Sequence, residues 1–396
     1  MESLTRTTKH ILKFANTQKQ LILDKIFQDY QEALVECVDL IYTGKLPHKA
    51  LLSSKLIPKK LGNVTHSQWR QLIYKQASEI LRGAREATEY QRRQRYKKVY
   101  KYFLKRKRQT KFTSLHFHEL SLKKYPKPVI NNVSIYIDAR LTDFQEGNSF
   151  DEFLRLSTPY FIKGKRKSIK INLPIKHTHL DKKYKDWKRC NTVILEKINN
   201  QYYIDCIYQK EAPELRTEGT IIGIDFGIKK LLTTSRQEFL GTEIEQICIE
   251  LTKCKRGSKR YKSLLRKRNQ YIDSTVNSLD LTDVKKVIVE DLKTLKQNSK
   301  KKGESKKSFR NLFQYCSVER TFTNIEKRCK EQGIEMVKVL PYYTSQTCSR
   351  CKNIDMSSRD GENYHCSTCG YEIDADYNAS LNILQRGVYN PPRIER

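Results

Sequence analysis

Two spacings of apolar residues divide the first half of the chain. From Gln18 to about Thr43, and again from Ser67 to about Arg108, apolar residues recur at helical intervals, and the second stretch, one helix or two, becomes strongly basic. Between residues 130 and 210 the pattern changes to alternation, in VSIYIDARL, SIKINLPI, TVILEKI and QYYIDCIYQ. Strands of this kind predict a small barrel or twisted sheet, with the helical block inserted after a first strand.

The second half of the chain alternates strands and helices. After the linker EAPELRTEG it predicts strands at IIGIDFG and KKLLTTS, a basic helical stretch from about Glu243 to Asn277, and a strand at VKKVIVEDL. A helix near residues 312–331, a strand at IEMVKVLP and a last helix from about Ala375 follow. This alternation predicts an α/β sheet.

Charge indicates the kind of partner. The 396 residues include 77 Lys and Arg against 44 Asp and Glu, a net charge of +33, while 38% hydrophobic residues are enough for a packed core. Such a surplus repels itself unless a polyanion is near, and phosphate backbones are the natural counterion. No apolar run reaches the roughly 18 residues that cross a bilayer, and the first residues lack a secretory signal core. We therefore expect no membrane partner, and a cytoplasmic, nucleoid-associated protein, or a nuclear one in a eukaryote.

The most basic helical segment also carries aromatic residues. Twelve Lys and Arg occur within residues 82–108, with tyrosines and a phenylalanine between them. A solvated surface helix is one interpretation, but phosphate contact with base stacking fits the mixture better. The predicted nucleic-acid contacts are Arg92, Arg93, Tyr96, Lys97, Tyr100 and Lys101.

Three carboxylates occupy positions where a charge is costly unless it is paired or bound to metal. Asp225 lies in the apolar strand IIGIDFG, Glu290 ends the apolar strand VIVE, and Asp376 opens the last helix in DADYNAS. Carboxylate oxygens suit Mg²⁺, and two such ions about 4 Å apart can serve the attacking and leaving oxygens of a phosphodiester. Each acid alone also fits a turn, a cap or an ion pair. Their order along the chain is that of RNase H-type nucleases.

Four of the eleven cysteines form a metal-binding pattern. Cys348, Cys351, Cys366 and Cys369 make two CxxC pairs separated by fourteen residues. Two such turns supply four thiolates in tetrahedral arrangement, which predicts one structural Zn²⁺ rather than a catalytic one. Disulfides are the alternative, and a reducing compartment disfavours them. His365 is expected to be a bystander.

The stretches GIDFGIKK, VIVEDL, YTSQTCSRCK and YHCSTCGYEIDADYNASLNI resemble TnpB-type transposon-encoded nucleases, which are related to Fanzor proteins and type V CRISPR effectors. The resemblance is specific over roughly residues 220–386. For the first 210 residues it concerns only the order of the domains. It implies a guide RNA and a double-stranded target DNA as partners. Base pairing between the guide RNA and one DNA strand would recognise the target sequence. It also implies Asp225, Glu290 and Asp376, rather than Asp374, as catalytic Mg²⁺ ligands.

The resemblance implies a multidomain α+β fold. An oligonucleotide-binding-like β-barrel wedge is expected from residues 1–16 and 125–212, with a helical recognition domain at 17–124. An RNase H-like (RuvC) α/β nuclease is expected from 220–342 and 373–396, with an inserted zinc ribbon at 343–372.

The chain also departs from the family pattern. The interval from Asp225 to Glu290 is short, and Ser380 replaces the usual Ala. A basic loop between Lys300 and Arg310 fits a mobile lid or a surface loop equally well. Two other functions stay open, a DNA-binding regulator that does not cleave and a transposase, and the oligomeric state is undetermined.

Overall fold

The computed structural model describes residues 3–105, 125–163, 165, 167–292 and 315–389, with the helical backbone but not the side chains of residues 97–105. The chain forms two compact units, Thr5–Lys210 and Glu211–Arg396, the latter joined by Met1–Leu4. We call them the N-terminal and C-terminal units. None of the helices in these ranges is long and apolar enough to cross a membrane.

The N-terminal unit combines two long helices with two antiparallel sheets. One sheet has the strand order β1-β7-β6-β2 and the other β3-β4-β5. The elements are β1 (Ser3–Ile11), α1 (Thr17–Tyr42), α2 (Ser67–Lys105), β2 (Ile135–Ile137), β3 (Thr142–Glu146), β4 (Glu152–Phe161), β5 (Ser168–Ile175), α3 (His179–Lys183), β6 (Lys188–Ile198) and β7 (Gln201–Glu211).

The predicted helices of this unit and the strands predicted between residues 130 and 210 are confirmed, and two further strands were missed. The segment expected to be one helix or two is the single helix α2. Strands β3 and β4 went unnoticed because charged residues interrupt their alternation around the turn at Gly147. The two ladders are separate, and closure into a barrel stays a prediction.

One hydrophobic core joins the helices to both sheets of this unit. The Trp69 side chain of α2 is fully buried and packs edge-on against Tyr30 of α1. Its indole nitrogen donates to the Ser157 carbonyl of β4 at 3.0 Å. The helices are therefore part of the same packed body as the strands.

The C-terminal unit contains a five-stranded mixed sheet with helices on both faces. The strand order is β10-β9-β8-β11-β12, and β8, β11 and β12 are parallel. The elements are β8 (Thr220–Phe226), β9 (Leu232–Thr234), β10 (Phe239–Leu240), α4 (Ile244–Lys253), α5 (Lys259–Ser278), β11 (Val284–Glu290), α6 (Val318–Glu331), β12 (Glu335–Val339), β13 (Arg359–Asp360), β14 (Asn363–His365), β15 (Glu372–Asp374) and α7 (Ala375–Tyr389).

The predicted alternation of strands and helices is confirmed, with one break. The basic helical stretch is two helices, because Gly257 takes a positive φ of 83° and Ser258 then caps α5 by accepting from the Tyr261 amide. Strands β13 to β15 form a small separate sheet. It includes parts of residues 348–369, which carry the four cysteines and which we call the cysteine segment.

Alternation along the strands assigns each residue to one face of the large sheet. Ile222 and Ile224 of β8 pack among residues of α4, α5 and α6. The opposite face, represented by Ile288 of β11, packs against Ile383 of α7. Asp225 follows Ile224 directly, and Glu290 lies two residues after Ile288. Both side chains therefore belong to the face covered by α7.

Candidate active site

Asp225 and Glu290 are brought together by the pairing of two parallel strands. Ile224 of β8 is in register with Val289 of β11, and the two acids come next in each strand. Both lie at the carboxyl ends of their strands and are partly buried. The carboxyl edge of a parallel sheet is where α/β proteins usually place ligands.

Asp376 approaches this pair from α7. The residue is 6% exposed, and a Cβ added to Gly227, just after β8, would lie 3.7 Å from Asp376 Oδ2. The helix reaches the strand because Gly223 lacks a side chain: a Cβ there would lie 2.6 Å from the Leu384 amide nitrogen. The approach of Asp376 to Asp225 therefore depends on the close contact between α7 and β8 at Gly223.

The charges of Glu290 and Asp376 act on the buried carboxylate of Asp225. Burial raises the pKa of Asp225 well above its usual range, and the neighbouring charges of Glu290 and Asp376 raise it further. Burial also raises the pKa of Glu290, although the Thr344 hydroxyl donates to it and the Arg386 charge acts in the opposite direction. Crowded carboxylates of this kind bind a cation favourably.

The structure separates the roles of Asp374 and Asp376. Asp374 Oδ1 accepts from the backbone amides of Asp376 and Tyr377, each at 3.0 Å, so it caps α7. Its other oxygen pairs with Lys230. Asp376, rather than Asp374, is the acid whose charge acts on Asp225. Its catalytic role stays a prediction.

Arg359 is a member of the site that sequence reasoning missed. Its guanidinium donates to Asp376 Oδ1 at 2.8 Å, although it belongs to β13 in the cysteine segment. An arginine in a short polar strand has no distinguishing sequence signal. Only the folding of that segment against α7 reveals the contact.

The four cysteines form a metal-sized cluster. Their sulfur atoms all lie within 4.8 Å of one another, as in a four-thiolate Zn²⁺ site. Backbone amides of Cys369 and Thr368 lower the pKa of the Cys366 thiol to about 6, which favours the thiolate. His365 instead hydrogen-bonds Glu372 at 3.0 Å.

The carboxylate oxygens are more widely spaced than the cysteine sulfurs. Among the described residues, no trio of carboxylates, including Asp225, Glu290 and Asp376, meets the 4.8 Å spacing that the sulfurs meet. Mg²⁺ retains several waters, which bridge wider gaps between ligands. The donor set therefore fits hydrated Mg²⁺ rather than a closed site, while the sulfur set fits Zn²⁺.

The predicted nucleic-acid contacts lie on the last part of α2. Arg93 is exposed, and Arg92 and Tyr96 are partly buried with interactions inside the protein. The side chains of Lys97, Tyr100 and Lys101 fall outside the described residues, as does the basic loop from Lys300 to Arg310. These contacts stay predictions.

Comparison with known proteins agrees with the resemblance at the C-terminal end. Residues 319–383 match the family model described as "Cas12f1-like, TNB domain". The CRISPR-associated endodeoxyribonuclease Cas12f1 of Sulfoacidibacillus thermotolerans is 51% identical over 57 residues, 14% of each chain. The TnpB-like protein L79 of Acanthamoeba polyphaga mimivirus is 42% identical over 57 residues, which are 14% of this chain and 11% of that protein.

A longer match extends beyond the cysteine segment. The CRISPR-associated endodeoxyribonuclease Cas12f2 of a Micrarchaeota archaeon (strain CG1_02_47_40) is 26% identical over 225 residues, 48% of this chain and 41% of that protein. The chain thus matches less than half the length of these relatives. Its resemblance to TnpB and type V effectors is confirmed.

The fold has a counterpart among solved structures. A cryo-EM structure of CasPhi-2 (Cas12j) bound to crRNA aligns with a TM-score of 0.51 and 9% identity, covering 97% of this chain and 98% of that one. A sequence identity this low shows a similarity of fold only. The multidomain α/β architecture is therefore shared with a type V effector.

Proposed function

We propose that the protein is an RNA-guided DNA endonuclease whose RNase H-like (RuvC) site contains Asp225, Glu290 and Asp376. The observation that carries this proposal is the convergence of three carboxylates from β8, β11 and α7 at one edge of the sheet. Relatives named as DNA endonucleases match parts of the chain, and the matching family model covers residues 319–383. A site of this kind hydrolyses phosphodiesters and leaves a 5′-phosphate and a 3′-hydroxyl.

The three acids would hold two Mg²⁺ ions. When bound, the ions lower the pKa of the attacking water and neutralise charge on the leaving oxygen. The chain's own task is to position the ligands: Thr344 donates to Glu290, and Arg359 donates to Asp376. These two hydrogen bonds fix one carboxylate orientation each before substrate arrives.

The cysteine cluster would hold one structural Zn²⁺ and thereby position Arg359. The arginine lies between the two CxxC pairs, so the metal restrains the loop that carries it. This gives the zinc ribbon a role at the nuclease site beyond folding.

Guide RNA and double-stranded target DNA are the proposed partners, in a nucleoid-associated or nuclear setting. The charge of +33 suits two polyanions, and the basic end of α2 is a proposed contact for their backbones. Under this proposal the wedge and recognition domains are parts of the N-terminal unit.

The test is cleavage by the protein purified with its co-expressed RNA. We expect Mg²⁺-dependent cutting of DNA that matches the variable end of that RNA, and loss of cutting in Asp225→Ala and Glu290→Ala. Cutting by the double variant would exclude the site, and RNA-dependent binding without cutting in Mg²⁺ or Mn²⁺ would favour a regulator. Strand-joined products would favour a transposase.

A further inference from the structure

Three large apolar side chains are exposed just beyond the end of β12. Leu340, Tyr342 and Tyr343 are 56%, 56% and 55% exposed. We call Tyr342 and Tyr343 the aromatic patch. Contiguous exposed apolar surface indicates a binding site, whereas single exposed apolar residues are ordinary.

The segment that carries the aromatic patch is held in place by α7. Asn382 donates to the carbonyls of Thr344 and Thr347 at 3.0 and 2.6 Å. Arg386 of the same helix donates to the Leu340 carbonyl. The rings are therefore presented to solvent from a fixed backbone, which lowers the entropy lost when a ligand binds.

The backbone of Tyr343 is also unusual. Its φ of 60° lies in the left-handed region, which glycine or asparagine adopts more readily. The Tyr343 carbonyl accepts from the amides of Gln346 and Thr347 at 3.1 and 2.9 Å, which stabilises this conformation. Strained conformations retained by surrounding contacts are concentrated at functional positions.

The aromatic patch is adjacent in sequence to a residue that contacts the carboxylate site. Thr344, the residue after Tyr343, donates to Glu290, so the two tyrosines immediately precede a residue that contacts a proposed catalytic acid. Arg386 donates a hydrogen bond to the Leu340 carbonyl, and its positive charge opposes the rise in the pKa of Glu290. The backbone on both sides of the two tyrosines is therefore bound to residues that act on Glu290.

From this arrangement we infer that Tyr342 and Tyr343 stack against unpaired bases of a single DNA strand beside the phosphate to be cut. The inference deepens the proposed nuclease function and rests on it. Aromatic rings bind single strands without sequence preference because every base presents a π face. An exposed tyrosine pair next to carboxylates supplies base contacts that the acids cannot make, and it orients the strand rather than taking part in the chemistry.

The experiment measures base stacking independently of cleavage. The full chain, purified with its RNA, is titrated in buffer without Mg²⁺ against a single-stranded oligonucleotide carrying 2-aminopurine, whose fluorescence is quenched on stacking. The variant pair is Tyr342→Ala with Tyr343→Asn, since asparagine tolerates the positive φ. We expect quenching to disappear and the Kd to rise about tenfold for each ring lost.

Three controls decide the interpretation. Tyr342→Phe with Tyr343→Phe keeps both rings and should behave as wild type. Tyr136→Ala removes a tyrosine that is 51% exposed in the N-terminal unit and should change nothing. An oligonucleotide with abasic sites should bind wild type and the double variant equally, because its phosphates remain.

The outcomes separate the two proposals. Unchanged quenching and Kd in the double variant would overturn the stacking role even if wild type cuts DNA. Ring-dependent quenching in a protein that does not cut would support the aromatic patch and count against the nuclease proposal. A change only in oligomeric state would make the aromatic patch a self-association surface and overturn the inference.

Discussion

The Arg359 guanidinium donates to Asp376 Oδ1 at 2.8 Å and so joins the cysteine segment to the carboxylate site. The Asp376 side chain is 9% exposed, whereas the Arg359 side chain is 34% exposed. The arginine is thus more accessible to solvent than the acid that it orients. This contact makes the ribbon a functional neighbour of the site.

Replacing Arg359 should impair cleavage more than folding. For Arg359→Gln we expect a loss of about 10- to 100-fold in single-turnover DNA cleavage, because outer partners of metal ligands have effects of this size. Arg359→Lys should recover part of the activity. Arg350→Gln, which removes another ribbon arginine that lies over Tyr371, is the matched control. Equal losses in both glutamine variants would contradict a specific role for Arg359.

Neutralising Asp225 should stabilise the metal-free protein. Burial and the charges of Glu290 and Asp376 raise the pKa of Asp225, so its ionised form costs folding free energy. We expect Asp225→Asn to raise the Tm of the metal-free C-terminal unit by a few degrees, about 2–4 °C per 1 kcal/mol. Added Mg²⁺ should stabilise wild type more than the variant.

The control for this measurement is Asp374→Asn. Asparagine can still cap α7, but it loses the ion pair with Lys230 and the favourable negative charge at the helix N-terminus, so the Tm should fall. A lower Tm for Asp225→Asn without metal would show that its charge is compensated, in contradiction to the crowded site. Calorimetry with and without Mg²⁺ measures both variants.

A methyl group at Gly223 should displace α7. The added Cβ would collide with the Ser380 carbonyl and the Leu384 amide, which are backbone atoms and cannot rotate away. We expect Gly223→Ala to cost about 1–3 kcal/mol of unfolding free energy and to reduce cleavage, since α7 carries Asp376. Gly83→Ala, on α2 with no atom within 4 Å of the added Cβ, should be harmless. Full cleavage by Gly223→Ala would show that Asp376 does not require this contact.

Zinc loss should reduce cleavage through Arg359. We expect one Zn²⁺ per chain by metal analysis, and its removal or Cys366→Ser should reduce cutting while the N-terminal unit keeps its unfolding transition. Cys254→Ser, a partly exposed cysteine outside the cluster, should retain both zinc and activity. Full activity after verified zinc loss would refute the proposed role of the ribbon.

A buried ion pair should make the N-terminal unit sensitive to alkaline pH. His10 Nε2 lies 3.2 Å from Asp181 Oδ1, and both side chains are buried. Burial opposes the charge on His10, but the hydrogen bonds to Asp181 and Cys206 outweigh it and raise its pKa to about 10. The resulting stability is fully present below the unfolded pKa of about 6.5 and is lost as pH rises through 10.

The measurement is urea unfolding of wild type and His10→Gln at pH 6 and pH 10.5. Removal of one partner of a buried pair costs about 3–5 kcal/mol, so the difference between the proteins should be of this order at pH 6 and should shrink at pH 10.5. Lys9→Gln, which removes a more exposed pair with Glu196, should have a smaller effect. A difference independent of pH would mean that His10 is neutral in the folded state.

The sequence by itself determined the elements and the chemistry of the candidate residues. Apolar periodicity located the long helices and the strands that carry Asp225 and Glu290, because burial on both faces of a parallel sheet requires continuous apolar runs. The spacing of the cysteines determined the metal cluster, because the ligands lie in two short turns. These features depend on neighbours in sequence.

The tertiary structure alone decided which side chains meet. The pairing of β8 with β11 placed Asp225 beside Glu290, the contact of α7 with Gly223 brought Asp376, and the folded ribbon added Arg359. Asp374 and Asp376 could be distinguished only by resemblance until the helix cap was visible. Contacts between residues far apart in the chain follow from packing, and no local pattern records them.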